Sequence, residues 1–255
     1  MTDKVKEFWD TQAETFGASD LATAPDHYYR ELEIAKIIEH LKEGERIVDV
    51  GCGNGYSTAS FLDAVKGAYT GIDYSEKMIE EAKKQYGHDI HFFVEDVRAM
   101  AASLLGWANT IISERCLINL KDWDEQKAAI LEMKRCLQPG GRIILVENFY
   151  DGLDYLNRLR SGFGLHEIEV RWHNRYLKMY EFEPFIDQHF DILHRENIGN
   201  LYYIISRVVY AAFARFEGKE PQYGHFINSV ASDLPTFGFS DEFYSPNFLY
   251  VLRAI

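Results

Sequence analysis

A chain of 255 residues, 47% hydrophobic and 26% charged, carries enough apolar material to bury the core of one large domain. Its formal net charge of -13 excludes a broad basic track for a nucleic-acid backbone, although a few local arginines can still receive a small anion. Cys52, Cys116 and Cys136 lie far apart without a CxxC pair, which points to a reducing compartment and not to a disulfide framework.

The opening residues, MTDKVKEFWD, lack the apolar run of a signal peptide. The most apolar stretch elsewhere, Tyr202 to Phe213, is too short for a bilayer and carries Arg207. A cytoplasmic chain that contacts no membrane is therefore expected. Asp26 can cap a helix whose Ile34, Ile37, Ile38 and Leu41 keep helical spacing until Gly44. Arg46 to Val50 reads as a first strand, Ser57 to Val65 as a helix and Ala68 to Asp73 as a second strand. Ser75 caps the next helix, with Met78, Ile79 and Ala82 facing inward. Ile90 to Val94 and Thr110 to Ser113 read as the third and fourth strands.

Asp122 with Glu125 three residues later resembles a capping box, opening a helix through Ile130, Met133 and Leu137. Pro139-Gly140-Gly141 is expected to stop that helix, and Arg142 to Glu147 to form the fifth strand. Asp191 to Glu196 and Phe248 to Arg253 are the last two candidate strands. Short β-branched runs alternating with helical patterns imply a mostly parallel sheet covered on both faces. Residues 150–180, rich in Arg, Tyr, Trp and His, fit this alternation poorly and read as an insertion. So do residues 198–246, which open with a helical run from Asn200 to Arg215 and close in a Gly-, Pro- and aromatic-rich segment.

The chemistry concentrates at three strand ends. Ile47-Val48-Asp49-Val50 runs into Gly51-Cys52-Gly53-Asn54-Gly55 and then a helix, and glycine suits a tight turn that lets a ligand touch the backbone. Glycines at such a junction would also serve a turn with no ligand. Asp73 ends the second strand, at the interval where an acid receives ribose hydroxyls in nucleotide-binding αβ folds. Asp96, after the third strand, can accept from an adenine amine or cap a turn. A dinucleotide fold prefers Gly-x-Gly-x-x-Gly, whereas here the third glycine comes one residue early and Asp49 precedes the loop. An acid there suits a cationic sulfonium ligand better than a pyrophosphate.

VDVGCGNG, GIDYSEKMIEEAK, EDV, SERCLINL and LQPGGRIILVE, in this order and spacing from about Val48 to Glu147, resemble the class I (Rossmann-like) S-adenosylmethionine-dependent methyltransferases. The resemblance implies a doubly wound seven-stranded sheet of order 3-2-1-4-5-7-6, mostly parallel with strand seven antiparallel, and helical insertions after strands five and six. It implies one domain over residues 1–255: a helical lid (1–45), a cofactor-binding half (46–149) and a substrate-side half (150–255). By the same resemblance Asp49, Gly51, Cys52 and Gly53 hold the methionine part of S-adenosyl-L-methionine, and Asp73 the ribose. Tyr74, Met78, Asp96 and Val97 surround the adenine, and Ser113 closes the methionine end. Glu114 and Arg115, in SERCLINL, stand on the methyl side, as a base and a substrate contact respectively. Asn119 occupies a position where many relatives of this type carry His.

In several methyltransferases of this class an N-terminal segment folds over the cofactor, which would bring in Trp9, Tyr28 and Arg30, the last to meet the carboxylate. Packing of a helix on the sheet would explain the same residues. His173, within Trp172-His173-Asn174-Arg175-Tyr176, is the first candidate for a base or orienting donor, with Trp172 and Asn174 beside it. Arg158, Arg160 and His166 belong to the same insertion, and Tyr203 and Arg207 share a helix face that could accept an anion. A core or packing role stays open for each. No HExxH and no Cys/His pair at ligand spacing points to a metal. The expectation is methyl transfer to an oxygen or nitrogen of a small polar molecule such as a sugar or natural-product intermediate, with no nucleic-acid partner and a homodimer left open. A non-catalytic cofactor-binding subunit, an NAD-dependent oxidoreductase and a tRNA methyltransferase are the alternatives.

Overall fold

In the strand Arg46–Val50 (β1) every residue after the first is buried, as expected of a strand covered on both sides. It lies at the centre of a seven-stranded sheet of order 3-2-1-4-5-7-6. The other strands are Ala68–Asp73 (β2), His91–Val94 (β3), Ala108–Glu114 (β4), Leu137–Asn148 (β5), Phe190–Asn197 (β6) and Asn247–Ala254 (β7). The first five pair in parallel, and β7 runs antiparallel between β5 and β6. The computed structural model describes residues 3–234 and 244–255, so most of the Gly-, Pro- and aromatic-rich end of the second insertion lies outside the described residues.

Period-two alternation sends successive strand residues to opposite faces. Val48, Ile111, Ile143 and Leu145 pack against Trp123–Cys136 (α5) and Met179–Ile186 (α7). Ile47, Ile112, Ile144 and Val146 pack with His27–Ile38 (α2), Tyr56–Ala64 (α3) and Glu76–Tyr86 (α4). This doubly covered sheet is the expected fold. It leaves the carboxyl ends of β1, β2 and β4 facing one rim, where ligands of open αβ sheets bind.

Several boundaries differ from the sequence reading. α5 ends at Cys136, and Leu137 is already extended and paired with Ala108, so Pro139-Gly140-Gly141 lies inside β5 and does not stop the helix. The register shifts between Ala108 and Thr110, which accommodates that irregular stretch. Asp122 caps α5 by accepting from the Glu125 N–H, but the Glu125 carboxylate accepts from the Lys121 N–H (3.2 Å) and from Arg98 (2.9 Å). The box is therefore half formed. Ahead of the sheet, Lys4–Phe16 (α1) is capped by Asp3 and packs Trp9 and Ala13 against Met78.

The first insertion forms Tyr150–Gly162 (α6), a long loop and α7. The helical run expected from Asn200 is real but interrupted: Asn200–Tyr203 (α8) passes through a π-turn, Ile204–Val209, into Tyr210–Phe216 (α9), followed by Phe226–Asp233 (α10). Such wide turns recur where a helix must aim a side chain, here Arg207. Among the described residues no helix is long and apolar enough to cross a membrane.

Candidate active site

The loop after β1 is shaped for close approach. Gly51 and Gly53 have φ of +70° and +55°, in the left-handed region that glycine enters without strain. A Cβ on Gly51 would stand 2.7 Å from Cys116 Sγ, and one on Gly53 2.7 Å from Thr23 Cγ2. No larger residue fits, because the β4 loop and the N-terminal segment close directly onto the glycines. Asp73 Oδ2 accepts the Gly53 N–H (3.0 Å) and Oδ1 accepts the Ser75 N–H (2.8 Å), so one carboxylate joins the glycine loop to the start of α4.

These residues line a cavity of about 720 Å³ that takes in Asp49, Cys52, Tyr74, Met78, Asp96 and Val97 on one side. Burial pushes the Asp49 carboxyl up to about 7, against a Thr58 hydroxyl that donates to it at 2.6 Å. Burial likewise raises Asp73 to about 6, against backbone donors from Ser75 and Gly53. Asp96 is different: burial works to raise it, but the Arg98 guanidinium, at 2.9 Å and 3.1 Å from its two oxygens, holds it below the usual carboxylate range. Arg98 lines the cavity and was missed in the sequence. Its engagement means that Asp96 offers only its remaining lone pairs to a ligand amine.

The N-terminal segment lies across this rim. Trp9 Nε1 donates to Asn119 Oδ1 (3.2 Å), Ser75 Oγ to Asp10 (2.5 Å), and Asn54 Nδ2 to the carbonyls of Gly17 and Ser19 (2.9 Å and 2.8 Å). Arg30 is buried, donating to Thr23 and to Ser57 at the start of α3, while its Nε finds no partner. Trp9 and Arg30 line the cavity; Tyr28 does not, and packs instead beside Tyr29 and Tyr202. Ser113 is likewise not among the lining residues: it is fully buried and donates to Glu147 (3.1 Å). Glu147 accepts the N–H groups of Leu117 and Ile118 as well, fixing the turn after β4; burial pushes it up to about 8.

Beyond Glu114 and Arg115 the same cavity continues to Trp172, His173, Asn174, Tyr203 and Arg207. His173 is buried in an aromatic stack, 4.3 Å from the Phe8 ring and 5.3 Å from Trp172. Burial and then Arg171 hold its imidazole down to about 4, so it is neutral at pH 7. Arg207 forms an ion pair with Asp26 and stands 4.8 Å from the centre of the Tyr223 ring. Arg158, Arg160 and His166 are not among the lining residues. Arg158 pairs with Asp154 on the exposed side of α6, and Arg160 donates to the carbonyls of His166 and Arg207.

Sequence reasoning also missed Glu33, which stands behind the cavity lining against Arg115. Glu33 is fully buried, 3.1 Å from Arg115, and accepts from Asn247 (3.0 Å). Its signal was available: an acid four residues before Ile37 falls on the buried face of α2. Tyr29, from the aromatic N-terminal stretch, and Arg175 and Tyr176, from the insertion singled out in the sequence, line the cavity as well. Among the described residues no cluster of three or more His, Cys, Asp or Glu side chains is arranged for a metal.

Residues 47–141 match a family model described as a methyltransferase domain. An O-methyltransferase of Penicillium expansum is 29% identical over 110 residues, which cover 41% of this chain and 38% of that protein. The matched stretch spans less than half the length of the curated relatives. Among solved structures, the complex between the Haloferax volcanii Trm112 methyltransferase activator and a methyltransferase gives a TM-score of 0.63 at 18% identity, covering 100% of this chain and 99% of that one. The N-methyltransferase NodS of Bradyrhizobium japonicum, in complex with S-adenosylhomocysteine, gives 0.58 at 14% identity, with 99% of each chain covered. At such identities the likeness is one of fold.

Proposed function

We propose that the chain, whose residues 47–141 match a methyltransferase-domain model, is a class I, Rossmann-like S-adenosylmethionine-dependent methyltransferase that methylates an oxygen or nitrogen of a small polar molecule. The observation that supports this most is the continuity of one cavity from the glycine loop, past Glu114 and Arg115, to the tyrosines and arginines of the two insertions. Its about 720 Å³ is the size of a small-molecule site.

The residues fit the cofactor. Gly51 and Gly53 let Cys116 and Thr23 close onto the loop where a Cβ would collide, Asp73 lines the cavity beside that loop as the acid assigned to the ribose hydroxyls, and the orphaned Arg30 Nε suits a carboxylate. When bound, S-adenosylmethionine supplies a methyl group already activated by its sulfonium. The chain therefore has mainly to position the acceptor and exclude water, for which the α1 lid and the 163–178 loop serve. Glu114, whose buried Oε1 has no hydrogen-bond partner, is placed to orient an acceptor hydroxyl or amine and to take its proton.

The test is calorimetric titration with S-adenosylhomocysteine, followed by a turnover screen of hydroxylated and aminated small molecules. Asp73→Ala should weaken the titration by more than about tenfold. Near-wild-type affinity would count against the ribose assignment, and turnover confined to RNA or protein acceptors would sink the small-molecule reading.

A further inference from the structure

We infer that the inner end of the cavity is a carboxylate subsite: the acceptor carries a carboxylate held by Arg115 and Tyr29, next to the atom that faces Glu114. This rests on the methyl-transfer reading above and names its substrate class.

The buried polar atoms around the cavity are unbalanced toward donors. Tyr29 is only 4% exposed; its hydroxyl makes no full hydrogen bond, and the neighbouring Ser245 is the weakest of the groups acting on it. Arg115 Nε and Arg175 Nε are also buried with no acceptor, whereas Glu114 Oε1 is the one orphaned carboxylate oxygen on the lining. A buried donor without an acceptor is costly, and a group that only accepts relieves several donors at once. Arg30 Nε is already assigned to the methionine carboxylate, so the remaining donors need an acceptor from the substrate.

Arg115 is held for this. Among the described residues it alone, apart from glycines, has a positive φ, +54°. Its N–H donates to the Val146 carbonyl (2.8 Å) and its own carbonyl accepts from Asn119 (2.9 Å), which keeps the strained backbone in place. Its guanidinium lies 3.1 Å from Glu33 and 3.7 Å from Glu114. Burial pushes Glu33 up to about 8 against the opposite pull of Arg115 itself, so Glu33 is a weaker partner for the guanidinium than an exposed carboxylate would be. The ring of Tyr29 stands edge-on to Tyr203, 5.0 Å between centres, giving the ligand an aromatic wall.

The anion is a carboxylate and not a phosphate for two reasons. A planar fork of guanidinium donors matches two carboxylate oxygens. Glu114 and Asp26 also line the cavity, and they oppose a dianion more strongly than a monoanion.

The experiment uses the full chain saturated with S-adenosylhomocysteine, titrated with 2-hydroxybenzoate, 3-hydroxybenzoate, malate and succinate, each against its amide, and with inorganic phosphate. At least one acid should bind about tenfold tighter than its amide and than phosphate. Tyr29→Phe keeps the ring but removes the orphaned hydroxyl. It should weaken the acid by at least about fivefold and leave the amide and S-adenosylhomocysteine unchanged, while the melting temperature of the free protein holds or rises. That opposition of affinity and stability would not arise from a merely structural tyrosine. Acids no tighter than amides, neither binding included, would overturn the subsite, as would tighter phosphate or an unchanged preference in Tyr29→Phe. If S-adenosylhomocysteine binds in those cases, the subsite alone falls; if it does not bind, the methyl-transfer reading falls with it.

Discussion

His173 shows how one side chain can satisfy two readings. Its ring is packed between Phe8 and Trp172 as any core aromatic would be, yet it lines the cavity and its Nδ1 has no partner. A neutral imidazole with its proton affinity held down to about 4 is a weak base but a good hydrogen-bonding group at pH 7. His173→Phe preserves the stack and deletes both nitrogens, so it separates the two roles. If the ring nitrogens orient the acceptor, turnover should fall by roughly 10–100-fold while S-adenosylhomocysteine affinity stays within about twofold. Turnover equal to wild type on the true acceptor would leave His173 a packing residue. The sequence flagged this histidine through its polar and aromatic neighbours. It could not show Phe8 stacked on it, because that contact joins residues 165 positions apart.

At the scale of elements, the glycine loop and α1 form one unit, and Asn54 is the joint. It is buried, and its amide donates to two carbonyls in the turn that ends α1. Asn54→Ala leaves the Gly17 carbonyl without a donor, while Ser19 keeps the Ala22 N–H, at a cost of about 1–3 kcal/mol. The melting temperature should drop accordingly, and S-adenosylhomocysteine should bind more weakly as the lid loosens. An unchanged titration beside a lowered melting temperature would mean that α1 packs on the fold without covering the cofactor. The central strands β1 and β4 were legible because parallel strands buried on both faces need unbroken apolar, β-branched runs. The end of α5 was not: Leu137 leaves the helix to pair with Ala108, a tertiary contact that acts before Pro139 can. The π-turn under Arg207 was likewise hidden, since the apolar spacing through Ile204–Val209 continues the helical pattern on either side without a Gly or Pro to mark a break.

For the whole molecule, burial of carboxyls governs the response to pH. Glu33 and Glu147 are raised to about 8, Asp49 to about 7 and Asp73 to about 6, in each case first by desolvation. The folded chain thus holds these protons more tightly than the unfolded chain, and unfolding releases them. Their contribution is fully present below the unfolded carboxyl values of ~4–4.5 and is lost as pH rises through ~6–8. Asp96, held low by Arg98, acts oppositely and loses its contribution only as the solution becomes strongly acidic. The melting temperature, scanned at constant ionic strength, should therefore peak near pH 5 and fall toward pH 9; a rise over that interval would contradict the buried protonated carboxyls. The order of strand, glycine loop and strand-end acids follows from local sequence, because close backbone approach and acceptor-only groups demand particular residues at fixed intervals. Which side chains meet beyond Glu114 was decided only by the tertiary structure. Tyr29, Arg115, Tyr203 and Arg207 come from three separate segments, and only their packing around one cavity, with Glu33 against Arg115, brings their charges and unsatisfied donors together.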